Sequence, residues 1–170
     1  MTCMQAIVLI GPPGAGKSTV AKYLSKECGK PYIDTDQMIE KETGRQISEI
    51  FLSDGEEGFR KIEKEVVLKA LEENDCVIAL GGGSVLDHEV ENRLESFSHV
   101  IFLDVSISNA APRVGFNKER PLLVGNPRQQ WLALMEKRRP IYERVSTRTF
   151  STDNRKPQEV ARQIAAELLK

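Results

Sequence analysis

Ala6-Ile7-Val8-Leu9-Ile10-Gly11-Pro12-Pro13-Gly14-Ala15-Gly16-Lys17-Ser18 decides the fold. Five apolar residues in a row suit a strand buried on both faces, and a complete G-x-x-x-x-G-K-S loop comes directly after them. Such a loop works when a buried strand delivers it to the first turn of a helix, where unpaired backbone N–H groups face outward. The glycines let the backbone curl around a phosphate, Lys17 supplies a mobile positive charge for the β and γ oxygens, and the Ser18 hydroxyl can join a Mg²⁺ shell. Gly14, Ala15, Gly16, Lys17, Ser18 and Thr19 are therefore the candidate nucleoside triphosphate cradle. A glycine-rich connector without a ligand is the bland alternative, and the full pattern in this context disfavours it.

Working outward, short apolar runs alternate with amphipathic segments. Ala6–Ile10, Pro31–Ile33, Cys76–Leu80, Val100–Leu103 and, more weakly, Arg148–Ser151 read as strands. Lys17–Cys28, Glu57–Glu72, Pro127–Val145 and Pro157–Leu169 read as helices, with Asp87–Leu94 and Ser106–Val114 as shorter ones and Ser106 as an N-cap. That alternation predicts an α/β fold, a parallel sheet wrapped by helices. At 170 residues one domain over residues 1–170 is expected. Two stretches break the rhythm: residues 34–60 add helical pieces that suit a substrate-holding insertion, and residues 115–125 form a long loop that suits a lid.

Bulk properties narrow the partners. Lysine plus arginine total 24 against 25 acidic residues, so no positive field exists to hold a nucleic acid or an anionic membrane. Cys3, Cys28 and Cys76 have no paired spacing, which suits reduced thiols and a cytoplasmic location. No run of eighteen apolar residues occurs, and the start leads straight into the phosphate loop, so neither secretion nor membrane insertion is expected.

Asp34-Thr35-Asp36 comes after the second strand, at the carboxyl edge where open α/β sheets place their ligands. Alternation along an extended segment would turn Asp34 and Asp36 to one side, so that one could approach a metal while the other approaches a second substrate. That division suits phosphoryl transfer. An N-cap for a helix over Gln37–Thr43 is the structural role open to Asp36. Val77-Ile78-Ala79-Leu80 offers no acid, so Ser18 and Asp34 carry the expected metal contacts. Gly81-Gly82-Gly83 suggests close approach of a ligand to exposed N–H groups, or a plain turn. Arg60 and Arg138 suit a carboxylate clamp, although each taken singly reads more readily as a surface residue. Arg120, in the expected lid, suits neutralisation of the transferred phosphoryl group. His88 and His99 read as ordinary surface or cap residues.

The series Gly11–Ser18, Tyr32-Ile33-Asp34-Thr35-Asp36, Glu57-Gly58-Phe59-Arg60, Gly81-Gly82-Gly83, Arg120-Pro121-Leu122-Leu123 and Arg138-Arg139-Pro140-Ile141-Tyr142 resembles the successive motifs of the shikimate kinase family. The resemblance implies a P-loop fold of the nucleoside monophosphate kinase type, with five parallel strands in the order 2-3-1-4-5. It implies transfer of the ATP γ-phosphoryl group to the 3-hydroxyl of shikimate, in aromatic amino-acid synthesis, with Mg²⁺ as cofactor and a monomer as the working unit. By the same likeness Lys17, Asp36 and Arg120 would be catalytic, and Ser18 and Asp34 would serve the metal. Arg113, Arg120 and Arg155 would join the cradle in binding ATP. Asp36, Arg60, Gly82, Gly83 and Arg138 would hold shikimate, with Phe51 and Phe59 as walls and Glu63 steadying Arg60. Ala79, Phe150-Ser151 and Lys156-Pro157 depart from the residues common at those places in the family. A kinase of another polyhydroxylated acid such as gluconate, and a catalytically silent nucleotide-binding regulator, are the alternative readings.

Overall fold

The computed structural model describes residues 4–114 and 126–169. The expected lid at residues 115–125, Arg120 within it, and Cys3 lie outside the described residues. Five strands, β1 (Ile7–Ile10), β2 (Tyr32–Asp34), β3 (Val77–Ala79), β4 (Val100–Asp104) and β5 (Arg148–Ser151), form one parallel sheet in the order β2-β3-β1-β4-β5. The helices are α1 (Lys17–Cys28), α2 (Thr35–Thr43), α3 (Ile47–Ala70), α4 (His88–Glu95), α5 (Ile107–Val114), α6 (Pro127–Val145) and α7 (Pro157–Leu168), with a 3₁₀ turn at Ser84–Leu86. Strand order and parallel pairing are as the sequence led us to expect. Every β1 residue is buried, because a central parallel strand is covered on both faces.

Register places the carboxyl ends of β1, β2 and β3 together, since Leu9 and Asp34 both pair with Ala79. The chain changes direction between β1 and β4, which is where a doubly wound sheet opens its ligand crevice. Helices α1 and α7 pack against each other, and α6 lies against β4, α4 and the 3₁₀ turn.

Two differences from the expected layout have local causes. Strand β2 ends at Asp34 and α2 begins at Thr35, so the Asp34–Asp36 segment is not extended and alternation does not apply to it. The second concerns α3, which starts at Ile47 rather than near Glu57 and is broken at Gly55, where φ is 73° and ψ is 178°. That left-handed geometry favours glycine. Between α2 and α3, Ile39, Ile50, Phe59 and Val66 make a small core separate from the main one, with Phe51 and Ile62 packed against it. Among the described residues no helix is long and apolar enough to cross a membrane.

Candidate active site

The first half of the site is the loop between β1 and α1. A Cβ on Gly14, whose φ is 86°, would sit 2.9 Å from the Ala110 carbonyl oxygen, so the loop passes α5 too closely for any other residue. Outside contacts fasten the loop: Trp131 Nε1 of α6 donates to the Pro13 carbonyl at 2.8 Å, and Arg113 Nη1 of α5 donates to that of Gly14 at 3.1 Å. Lys17 Nζ donates to the Gly11 and Pro12 carbonyls at 2.8 and 3.0 Å, which places the ammonium across the mouth of the loop.

Ser18 Oγ donates to Asp34 Oδ2. The other oxygen, Asp34 Oδ1, accepts from the N–H groups of Asp36 and Gln37 at 2.9 and 3.2 Å, so Asp34 is the N-cap of α2. The capping role weighed for Asp36 therefore falls to its neighbour. Asp36 stands in the first turn of α2 instead. A hydroxyl and a carboxylate oxygen side by side are hard donors of the kind Mg²⁺ takes, and their position beneath the loop fits a metal bound jointly with phosphate oxygens. A cavity of about 600 Å³ opens here, lined by Lys17, Asp34, Asp36, Arg113, Thr152 and Arg155 among others.

The second half gathers around Gly81-Gly82-Gly83, at the end of β3. None of these glycines has a positive φ. Space is what requires them. A Cβ on Gly81 would lie 2.8 Å from Asp36 Oδ1 and 2.9 Å from Glu63 Oε2, one on Gly82 would lie 3.3 Å from Arg138 Nη1, and one on Gly83 would lie 2.6 Å from Arg60 Cζ. The turn is therefore the surface against which Asp36, Glu63, Arg138 and Arg60 converge. The sequence suggested free N–H groups at this turn, but that of Gly81 is taken by Thr35 Oγ1 at 3.1 Å.

Arg60 and Glu63 stand three residues apart on one face of α3 and are joined by a 2.6 Å ion pair. The Arg60 guanidinium also lies 5.3 Å from the centre of the Phe59 ring, which in turn packs 4.5 Å from Phe51. Arg138 is not the surface residue its type suggests, because only 3% of it is exposed. Burial pushes its pKa down, the neighbouring Tyr142 opposes that, and the positive charge of Arg60 adds to the depression. Its Nε has no hydrogen-bond partner among the described residues. Two neighbouring guanidinium groups, one buried with an unmatched N–H, are the complement of an anion.

Comparison with known proteins agrees with this geometry. The shikimate kinase family model matches residues 13–169. This chain belongs to the shikimate kinase family. It is 45% identical over 168 residues to a shikimate kinase of Thermobifida fusca, covering 99% of this chain and 97% of that protein. A Streptomyces coelicolor shikimate kinase is 48% identical over 154 residues, covering 91% and 90%. Among solved structures, shikimate kinase from Acinetobacter baumannii in complex with shikimate superposes with a TM-score of 0.94 at 34% identity, over 98% of this chain and 93% of that one. A gluconokinase from Sinorhizobium meliloti has a TM-score of 0.62 at 22% identity, over 97% and 91%, a likeness of fold alone.

Measured against the family's pattern, the structure brings Lys17, Ser18, Asp34 and Asp36 to one cavity, and Arg60, Glu63 and Arg138 to the adjoining turn. Arg113 and Arg155 both line the nucleotide-side cavity. Arg113 forks onto Thr152, bonding Oγ1 at 3.0 Å and the carbonyl at 2.9 Å, whereas Arg155 bonds Gln163 Oε1. Sequence reasoning gave no role to Thr152, Thr35, Trp131 or Tyr142, although Thr35 and Tyr142 stand inside the quoted motifs. Thr152 carried one available signal, its place just beyond β5 at the ligand-bearing edge of the sheet. Tyr142 carried another, as the last residue of the motif beginning at Arg138, whereas Trp131 had none, since it reads as an ordinary apolar residue of α6. His88 starts α4, fully in solvent, while His99 is half-buried and its pKa is pushed down by burial and by Arg148 and Lys30.

Proposed function

We infer that this chain transfers the γ-phosphoryl group of ATP to the 3-hydroxyl of shikimate, giving shikimate 3-phosphate and ADP. The observation that carries this reading is the buried Arg138 beside Arg60, an anion clamp set across the glycine turn from Asp36 and the phosphate loop. Gly14, Ala15, Gly16, Lys17, Ser18 and Thr19 bind the triphosphate, with Arg113 and Arg155 toward the base. Lys17 breaks its bonds to the Gly11 and Pro12 carbonyls and takes β and γ oxygens in exchange. Ser18 and Asp34 would hold Mg²⁺, which when bound draws charge from the phosphate oxygens.

Arg60 and Arg138 take the shikimate carboxylate, Gly82 and Gly83 give the ring close approach, and Asp36 orients the attacking hydroxyl and accepts its proton. Arg120 is assigned to the transferred phosphoryl group on the strength of the sequence motif. Both halves of the site come from one chain, which supports a monomer built as a single kinase domain with residues 34–60 as its acceptor-binding insertion. Cys28 and Cys76 are free thiols, which supports a cytoplasmic setting.

A coupled assay of ADP release with shikimate, quinate and gluconate tests the reading. Turnover with shikimate well above the other two is expected. Release that depends on gluconate would reassign the acceptor, and no acceptor-dependent release with any of the three would leave a silent nucleotide binder.

A further inference from the structure

Arg138 is sealed from solvent, so the protein interior must set where its guanidinium points. One turn further along α6 stands Tyr142, fully buried, whose hydroxyl donates to the Gly82 carbonyl at 2.6 Å. Arg138 comes to the same glycine, its Nη1 lying 3.3 Å from where a Cβ on Gly82 would sit. Tyr142 and Arg138 therefore meet at one residue of the glycine turn, the first through a hydrogen bond to its carbonyl and the second through close contact.

The hydroxyl itself is held in place. The Tyr142 ring stacks on Phe102 of β4 with centres 5.1 Å apart and planes 28° apart, and Phe102 is also fully buried. Arg138 lies against the turn at the Gly82 position, so a shift of either is felt by the other. Earlier on the same helix, Trp131 fastens α6 to the phosphate loop. The helix thus fixes the guanidinium relative to both halves of the site, with Tyr142 as the fastening on the acceptor side.

We propose that Tyr142 is a positioning residue for acceptor binding, aiming Arg138 at the substrate carboxylate and holding the Gly82 carbonyl away from it. The proposal rests on the shikimate reading above. Phenylalanine fills the same volume without the oxygen, so Tyr142→Phe separates aiming from packing. With wild-type turnover on shikimate measured first, the variant is expected to raise the KM for shikimate about tenfold, the scale of one lost buried hydrogen bond. The kcat and the KM for ATP should stay within about twofold, because the carboxylate is remote from the reacting hydroxyl. The methyl ester of shikimate, which offers Arg138 no charge, should show the same kcat/KM with both proteins.

A shikimate KM within twofold of wild type overturns the proposal, as does an equal loss on acid and ester, which is general loosening. Should the variant not fold, wild-type protein carrying tyrosine labelled with carbon-13 at Cζ gives a second reading. Only three tyrosines are present, and Tyr23→Phe and Tyr32→Phe assign the Tyr142 signal by elimination. Shikimate is expected to move that signal and the methyl ester to leave it in place; a signal unmoved by shikimate overturns the proposal. Failure of the functional reading is seen separately, as wild-type protein that does not turn over shikimate.

Discussion

The two halves of the site are built from different materials. The nucleotide half is mostly backbone: one contiguous loop, left-handed glycines, and main-chain groups fastened from outside by Trp131 and Arg113. The acceptor half is mostly side chain, with Asp36, Arg60, Glu63 and Arg138 drawn from α2, α3 and α6 onto a glycine turn that exists to let them close in. A backbone cradle suits a triphosphate, whose oxygens are the same whatever the acceptor. A side-chain clamp suits the acceptor, because specificity changes when a few side chains change. Substitutions in one half should therefore leave the other half's substrate almost untouched.

The largest expected effect breaks that separation at its seam. Asp36 lines the nucleotide cavity and also abuts the glycine turn, so Asp36→Asn keeps the shape and removes the proposed proton acceptor. Its kcat should fall by about 10²-fold or more, the scale of lost general-base catalysis. ATP binding, measured by calorimetry, should remain. Turnover near the wild-type value would remove Asp36 from its proposed role.

Arg138→Met comes next and stays within the acceptor half. Losing the proposed guanidinium partner of the carboxylate should raise the KM for shikimate by about 30-fold or more, with the KM for ATP unchanged. Stability should move the other way. A buried guanidinium with an unmatched Nε is costly to the unliganded fold, and an apolar side chain of similar length removes that cost. The melting temperature of the unliganded variant is expected to equal or exceed that of the wild type. A marked drop would mean that Arg138 is better satisfied inside the protein than its geometry indicates.

The contrast in materials also explains what was legible in the sequence. The nucleotide half is contiguous, so a strand, a loop and a helix could be read from thirteen residues in a row. Asp34 and Asp36 were found, but which of them caps α2 depends on where β2 stops, and sequence boundaries are blurred by a residue or two. The acceptor half is assembled by the β2-β3-β1-β4-β5 order, which brings residues 60, 82 and 138 together across three elements. Nothing local marks Arg138 as buried, and taken singly both it and Arg60 read more readily as surface residues. Gly81-Gly82-Gly83 was noticed for close approach, with a ligand as the expected visitor. The visitors include the protein's own Asp36, Glu63, Arg60 and Arg138. Sequence does not distinguish a glycine kept for its φ from one kept for its missing side chain.

That distinction yields a smaller effect on each side. Gly83→Ala places a methyl 2.6 Å from Arg60 Cζ and should displace the guanidinium, raising the KM for shikimate several-fold. Gly16→Ala meets nothing within 4 Å, yet its φ of 85° strains an alanine by about 1–2 kcal/mol. It should lower the melting temperature by a few degrees and weaken ATP, leaving the KM for shikimate alone. Kinetics on the two variants in parallel would show the crossed pattern; if both changed the same KM, the halves would not be separable.

The smallest effect serves as a control, because it lies in neither half. His99 precedes β4, and its pKa is depressed below the ordinary 6.5 by burial, then by the charges of Arg148 and Lys30. Between the folded value and 6.5 the unfolded chain holds a proton on this histidine that the folded chain does not, so acid favours unfolding. The stability tied to neutral His99 is fully present above pH 6.5 and is lost as pH falls through the folded value. His99→Gln removes that contribution, so its melting temperature should fall less steeply than the wild type's as pH is lowered below 6.5, by on the order of a degree. Carboxylates titrate in both proteins and cancel in the difference. The KM values for ATP and shikimate should match the wild type throughout, because both halves draw their charges from other residues; a pH-dependent change in either would tie the sheet's distant edge to the site.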